Sequence, residues 1–337
     1  MKKHKITNYR RLYPLNYQRN VSGQVDLKTR ICAFLSADVY KEHRIYDVVY
    51  HTDFDGNLSK WTIVEEMHDK DISGFDAYVY FNYELTQFII SFRGTELKYN
   101  KQGYLDLKTD FEMLREKTMK QYLTAYKFVK NFIVEKISSG KILSFKFNPE
   151  TARKNLIITG HSLGGSIAQL IGAQAEFINV RIDTFNPLGM AEYLYRYNVW
   201  SKQELKKSKP NESLNEIYSK NFAHPYKFSY QNKKDYTNIT NYITTRDFVG
   251  AVYDHIGQVR IVKLALQNRI KIKDIFLITP ALKKMCKGHN CDNFIMEKSF
   301  DITKNPFNYQ NFVKSLRVLQ GDKVTKNVIA PIINLFL

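Results

Sequence analysis

The residues Gly160-His161-Ser162-Leu163-Gly164 stand between an apolar run, Leu156-Ile157-Ile158, and a stretch of small and apolar residues from Gly165 to Gly172. Strand, sharp turn and helix in that order are what a nucleophile elbow requires. The serine is held in a strained turn with its Oγ raised above the sheet edge, and the flanking glycines remove Cβ atoms that would collide. Gly165, Ala168 and Gly172 recur at close to helical spacing, the pattern of a helix packed tightly on its parent strand. G-x-S-x-G also arises by chance in Gly/Ser loops; the strand before it and the helix after it make it informative here. Ser162 is the candidate nucleophile.

A serine hydroxyl is a weak nucleophile until a base takes its proton and an acid orients that base. After an elbow serine the acid and then the histidine follow in chain order, each in a loop at the C-terminal end of a strand. Asp247 meets this condition because it follows a predicted strand at 239–245, and Asp254 is its nearest rival. Beyond Asp247 the sequence holds His255 and His289. His255 precedes the predicted strand 258–266 and so falls at the wrong end of a parallel one. His289 lies in the loop Lys287-Gly288-His289-Asn290-Cys291, after the last clear strand-like segments, and is the favoured base. His161 adjoins Ser162, so its side chain is directed elsewhere and it reads as structural. Two N–H donors are also needed for the tetrahedral oxyanion. Leu163, directly after the nucleophile, supplies one; Gly94-Thr95, at the end of a predicted strand 87–92, is placed for the other, with the Thr95 hydroxyl as a further donor.

The elements that must position these groups follow from periodicity. Apolar residues at 31, 34, 35 and 39 predict a helix over 29–40. Runs at 75–81 and 87–92 predict a hairpin. A long amphipathic helix is expected over 111–137, with Met113, Leu114, Tyr122, Tyr126, Val129 and Phe132 on one side. Then come a strand at 155–159, the elbow, a helix to about Asn179, and strands near 181–185, 239–245 and 258–266, with 275–278 either helical or extended. Residues 187–238 break the alternation and read as an inserted cap or lid segment. Residues 1–28 read as a basic lead-in, and 29–337 as one domain carrying that insertion. The expected fold is α/β: a mostly parallel central sheet with helices on both faces.

Composition narrows the function. With 44% hydrophobic residues, 23 Tyr and 22 Phe in 337 residues, the chain can bury a sizeable core. No stretch approaches the roughly 20 consecutive apolar residues of a membrane-spanning helix. The basic start lacks the apolar core of a secretory signal, so the expected site of synthesis is the cytoplasm, with any export by a leaderless route. Cys32, Cys286 and Cys291 make no disulfide framework. Cys286 and Cys291 bracket His289, yet a zinc site needs four ligands, and no second cluster accompanies them. Neither metal nor cofactor is expected. The formal charge is +18, with six Lys/Arg and no acid in residues 1–20, and eight Lys/Arg against one acid, Asp274, over 260–287. Such a surface is drawn to polyanions or to the anionic face of a membrane. A lysine-rich composition used only for solubility accounts for it equally. No nucleic-acid module is legible and no nucleic-acid partner is expected; no feature specifies an oligomeric state.

Five blocks in order, Ser91-Phe92-Arg93-Gly94-Thr95-Glu96, Gly160 to Gly165, Thr184-Phe185-Asn186-Pro187, Thr245 to Val249, and His289 through Asn293-Phe294, resemble the signature blocks of class 3 (fungal-type) lipases within the α/β-hydrolases, a group with bacterial phospholipase-like relatives. The resemblance spans roughly Ile31 to Ile295. It implies a triad of Ser162, Asp247 and His289, with Thr95 in the oxyanion hole beside the Leu163 amide, and residues 96–104 as a lid that moves at a lipid surface. The insertion 187–238 exceeds what the family's core needs, and the leader of its secreted members is missing here.

The implied activity is a serine carboxyl-ester hydrolase of lipids, a lipase or A-type phospholipase. The positive charge tilts the expected substrate toward membrane lipid, with peripheral contact to an anionic surface. The tail Val328–Leu337 is apolar enough to add membrane contact, or equally to dock on the core. A water-soluble esterase or thioesterase, and a catalytically silent binding module, are the competing functions. A toxin-like phospholipase delivered to another cell is a further hypothesis, motivated by the missing leader and the charge.

Overall fold

The pattern at 75–92 produces the expected hairpin. Strands β3 (Phe75–Asn82) and β4 (Gln87–Phe92) pair antiparallel, and Asn82 closes their turn by accepting the Leu85 N–H at 2.9 Å. The structure, a computed structural model, describes residues 26–53, 55–69, 73–94, 118, 121–190, 236–244, 247, 249–250, 255–262, 289 and 291–294. Among these, eight strands form one mixed sheet in the order β1-β2-β3-β4-β7-β8-β9-β10. From β4 onward, β7 (Ile157–His161), β8 (Arg181–Phe185), β9 (Ile239–Thr244) and β10 (Gln258–Val262) all run parallel. A small separate ribbon, β5 (Lys141–Ile142) with β6 (Phe145–Lys146), lies between the two halves in sequence.

The antiparallel edge was not anticipated from the sequence. β1 (Val48–Thr52) and β2 (Leu58–Asp69) extend the sheet beyond β3. β2 carries Glu65, Glu66 and His68, and its register shifts between Ile63 and Glu65. A bulge of this kind breaks the two-residue period that marks a strand in sequence.

Helices cover both faces. Helix α1 (Leu27–Asp38) is capped by Asp26, which accepts the Thr29 N–H at 2.7 Å. It packs Ile31, Cys32 and Leu35 on one face of the sheet, against Trp61, Tyr80, Ile89, Ile157 and Phe185. On the other face, the helical stretch 121–131 (α2) and the helix after the elbow (α4, Leu163–Gly172) pack against Phe75, Phe81, Phe88, Phe92, Ile158 and Ile182. Every residue of β4 and of β7 is buried, as a doubly covered sheet demands.

Three expected boundaries shift. The stretch foreseen as one helix over 111–137 is α-helical over 121–131 and then widens into a π-helical turn, Phe132–Ile137; 111–117 lie outside the described residues. Strand β7 starts at Ile157 rather than 155, because a short helix α3 (Pro149–Lys154), capped by Asn148, occupies the chain up to Lys154 and Asn155 caps its C-terminus. Helix α4 stops at Gly172 instead of continuing to about 179, since Gln174 is extended and a separate 3-10 turn, Ala175–Phe177, follows.

Of the expected insertion, 191–235 lie outside the described residues, but both ends are pinned to the region around α4. Ser166 Oγ and Gln169 Nε2 donate to the Leu188 carbonyl at 3.1 and 2.9 Å, while Asn238 Nδ2 donates to the carbonyls of Gly172, Phe177 and Val180. The lead-in 1–25 and the tail 295–337 also fall outside the described residues. No described helix is long and apolar enough to cross a membrane.

Phe88 anchors the doubly covered half. It stacks on Phe81 with centroids 4.2 Å apart and meets Phe132 and Phe147 edge-on. Phe88→Ala is expected to cost about 3–5 kcal/mol, the range for emptying a buried aromatic site. Urea denaturation measures it; a loss below about 1 kcal/mol would show that this cluster does not carry the sheet.

Candidate active site

The turn between β7 and α4 places Ser162 in backbone space that side chains avoid, at φ 55° and ψ −126°. Such a conformation costs on the order of 1–3 kcal/mol and persists only where the surroundings hold it. Here the Ser162 N–H donates to the Phe185 carbonyl at 3.0 Å, and its own carbonyl accepts the Ser166 N–H at 3.0 Å. Gly164 explains the second glycine of the motif: a Cβ at this position would overlap the Phe92 carbonyl, so no larger residue lets α4 start this close to β4.

Three side chains from separate loops meet at this point. The Ser162 hydroxyl donates to His289 Nε2 at 2.9 Å, and His289 Nδ1–H donates to Asp247 Oδ1, also at 2.9 Å. The carboxylate only accepts, so the ring proton sits on Nδ1 and leaves the Nε2 lone pair facing the serine. Asp247 further accepts the N–H groups of Val249, at 3.1 Å, and Gly250, at 2.7 Å. All three residues are enclosed, with exposures of 5% for Ser162, 4% for Asp247 and 7% for His289. In this arrangement the imidazole can receive the serine proton while the carboxylate offsets the charge that develops.

Leu163 is the first residue of α4, so its N–H has no acceptor within the helix and stands at the helix's positive end beside Ser162. The loop after β4 also reaches this point. A Cβ on Gly94 would overlap the Tyr40 hydroxyl and the His161 carbonyl and press on Ser162 Cβ. Thr95, the lid stretch 96–104 and the rival acid Asp254 lie outside the described residues.

Several supporting groups were not read from the sequence. Asn186, at the end of β8, has φ 46°, a conformation Asn tolerates better than most residues. Its side chain accepts the Thr244 N–H at 2.9 Å and donates to the His289 carbonyl at 3.2 Å. The signal available was an Asn directly after a predicted strand. His161 Nε2 donates to the same His289 carbonyl at 2.6 Å, and Tyr40 Oη lies 3.0 Å from His161 Nδ1. Gln169 joins the loops on either side, accepting the Ile256 N–H at 2.9 Å and donating to the Leu188 carbonyl. His255 does precede β10, as expected, but is half-buried and braces the acid loop: Nε2 donates to the Gly250 carbonyl at 2.7 Å.

Burial, with His289 as a neighbour, pushes His161 down to about 3; burial pushes His255 down to about 4. Among the described residues no cluster of three or more His, Cys, Asp and Glu is arranged to hold a metal, and Cys32 and Cys291 are buried as thiols rather than joined in a disulfide. Cys286 lies outside the described residues.

The sheet order, the strained serine between a parallel strand and its helix, and the Ser…Asp…His sequence of loops define an α/β-hydrolase. Residues 31–275 match the model of the Tle-like phospholipase domain, and the chain belongs to that phospholipase-like family. Solved structures similar to it include a Rhizomucor miehei lipase–propeptide complex (15% identity, covering 76% of this chain and 80% of that one, TM-score 0.39). Lip2 lipase from Yarrowia lipolytica is another (14% identity, 73% and 82% covered, TM-score 0.40). A triacylglycerol lipase from Penicillium expansum is a third (14% identity, 72% and 82% covered, TM-score 0.34). Comparison with curated protein sequences gives no match.

Both desolvated histidines couple stability to pH. An unfolded histidine titrates near 6.5, so below that value the unfolded chain takes up protons the folded rings refuse. Stability therefore declines as pH falls from about 6.5, and for each ring levels off once its folded value is passed. His255→Gln is expected to flatten this decline by up to one proton, about 1.4 kcal/mol per pH unit between about pH 6 and pH 4.5. Urea titrations across that window measure the slope; an unchanged slope would mean His255 is not held neutral.

Proposed function

We propose that this chain is a serine carboxyl-ester hydrolase acting on lipids, with Ser162 as nucleophile, His289 as general base and then acid, and Asp247 orienting the imidazole. The single observation that carries this is the unbroken hydrogen-bonded line from Asp247 through His289 to Ser162. Ser162 Oγ attacks the ester carbonyl as its proton passes to His289 Nε2. The oxyanion is met by the Leu163 N–H at the start of α4 and by Thr95. The tetrahedral intermediate collapses to an acyl-enzyme as the imidazolium protonates the leaving alcohol. Water, deprotonated by the same ring, then releases the fatty acid and restores the serine.

Phospholipid is the favoured substrate. Membership of a phospholipase-like family and a charge of +18 support it, because a cationic protein concentrates at an anionic bilayer surface. The domain organisation we favour is one catalytic domain over 29–337 with an insertion at about 187–238.

Ser162→Ala is expected to abolish fatty-acid release from phospholipid vesicles and labelling by a fluorophosphonate while the chain still melts cooperatively. Asp247→Asn is expected to retain the fold and lose on the order of 10⁴-fold in kcat, the cost of the wrong imidazole tautomer. Undiminished hydrolysis by the purified Ser162→Ala protein would overturn the assignment. Release is also expected to be faster from vesicles containing anionic lipid than from zwitterionic ones, and the advantage to shrink with added salt. Equal rates on soluble and aggregated esters would instead favour a soluble esterase.

A further inference from the structure

We propose that His161, with Asn186, positions the base of this reaction by gripping the backbone carbonyl of His289, and that the Tyr40 hydroxyl selects the His161 tautomer that does so. This rests on the hydrolase reading above.

The two ring nitrogens of His289 are already committed to Asp247 and Ser162. Neither bond survives unchanged through turnover, because the Nε2 side passes a proton to and fro. The ring stays in place only if the backbone behind it does. That backbone is tied at the His289 carbonyl by two N–H donors: His161 Nε2 at 2.6 Å from the end of β7, and Asn186 Nδ2 at 3.2 Å from the end of β8. Both come from strand ends that also build the serine's turn, so nucleophile and base are referenced to the same rigid atoms.

The chemistry of the contact dictates the state of His161. A carbonyl only accepts, so Nε2 must carry the proton. In a neutral ring Nδ1 is then an acceptor, and the Tyr40 hydroxyl, 3.0 Å away, is its donor. The His161 and His289 ring centroids are 4.8 Å apart. When His289 takes the serine proton, a charged neighbour at that distance would oppose it. Burial keeps His161 neutral, with its pKa pushed down to about 3. A lysine or arginine could donate to the carbonyl but would always be charged; a neutral imidazole with an assigned tautomer meets both demands. Tyr40 belongs to the same assembly from the other side: its hydroxyl lies against Gly94, and the Arg93 guanidinium sits 5.6 Å from its ring centre. The residue just before the candidate oxyanion donor Thr95 is thereby packed on the group that fixes His161.

The test compares the parent with His161→Phe, His161→Gln and Tyr40→Phe, each checked by thermal melting. Measured are kcat and KM on a short-chain p-nitrophenyl ester, and the far-downfield proton NMR signal of the His289 Nδ1–H···Asp247 bond. His161→Phe removes the donor and is expected to lower kcat about 100-fold with KM nearly unchanged, and to broaden or abolish the NMR signal. His161→Gln, which restores an N–H donor, is expected to recover kcat to within about 10-fold of the parent. Tyr40→Phe, which removes one oxygen and frees the tautomer, is expected to lower kcat by about 3- to 10-fold. Should His161→Phe fail to melt cooperatively, the Tyr40→Phe loss and the Gln variant's sharp NMR signal decide the matter. Parent-like kcat in Phe and Tyr40 variants, equal losses in the Phe and Gln variants, or an effect on KM alone would overturn the proposal. If the folded parent neither hydrolyses ester nor reacts with a fluorophosphonate, the hydrolase reading fails, and the NMR signal still reports whether His161 holds the ring.

Discussion

One imidazole has to satisfy two hydrogen bonds of opposite sense at once, donating to Asp247 and accepting from Ser162, and much of the architecture around the site follows from that demand. Ser162 follows β7 and Asp247 follows β9, with β8 between them. Neighbouring strands lie about 4.8 Å apart, so the two loops are separated by roughly 10 Å, close to the span of one imidazole ring with a hydrogen bond at each end. The middle strand is left with the space behind the ring, and the residue just after it, Asn186, fills it by bonding both the β9 side at Thr244 and the His289 carbonyl. A parallel sheet therefore acts as a ruler whose spacing matches the imidazole held across it.

That display requires strain, and the strain is local. Ser162 alone between β7 and α4 carries the positive φ, and its turn is tied down by backbone bonds to Phe185 and Ser166. The closeness of α4 to β4 at Gly164 lets the helix begin immediately after the serine, which puts the Leu163 N–H at the helix's first turn beside it. Conformational cost at one residue is offset by burial over the whole of α4, each of whose ten residues is buried.

How much of this was legible depended on how each signal is encoded. The elbow is local: five adjacent residues and the strand and helix around them state their own geometry, and β7 and α4 were found with only their ends displaced. Chain order and strand ends single out Asp247 and His289 because they restrict where such groups can stand, and the structure brings both side chains to Ser162, although nothing in the residues around His289 specifies that distance. β1 and β2 were missed for the opposite reason. The bulge after Ile63 and the acids Glu65 and Glu66 erase the alternation on which strand recognition depends, and only pairing with β3 makes those residues a strand. His161 was read as merely structural because adjacency to Ser162 says where its side chain does not go; where it does go is settled by Tyr40 and His289, 121 and 128 positions away.

By itself, the sequence determined the chemical vocabulary: a serine between glycines at a strand–helix turn, an acid and a histidine following in order, and enough apolar residues to cover a sheet on both faces. These are short-range facts, set by neighbours within a few residues. Only the tertiary structure decided which nitrogen meets which oxygen, which histidine braces and which one faces the serine, and that a carbonyl is gripped from two strands. Those contacts join residues from 42 to 128 positions apart, and their existence depends on the packing of β7, β8 and β9 side by side rather than on any pattern along the chain.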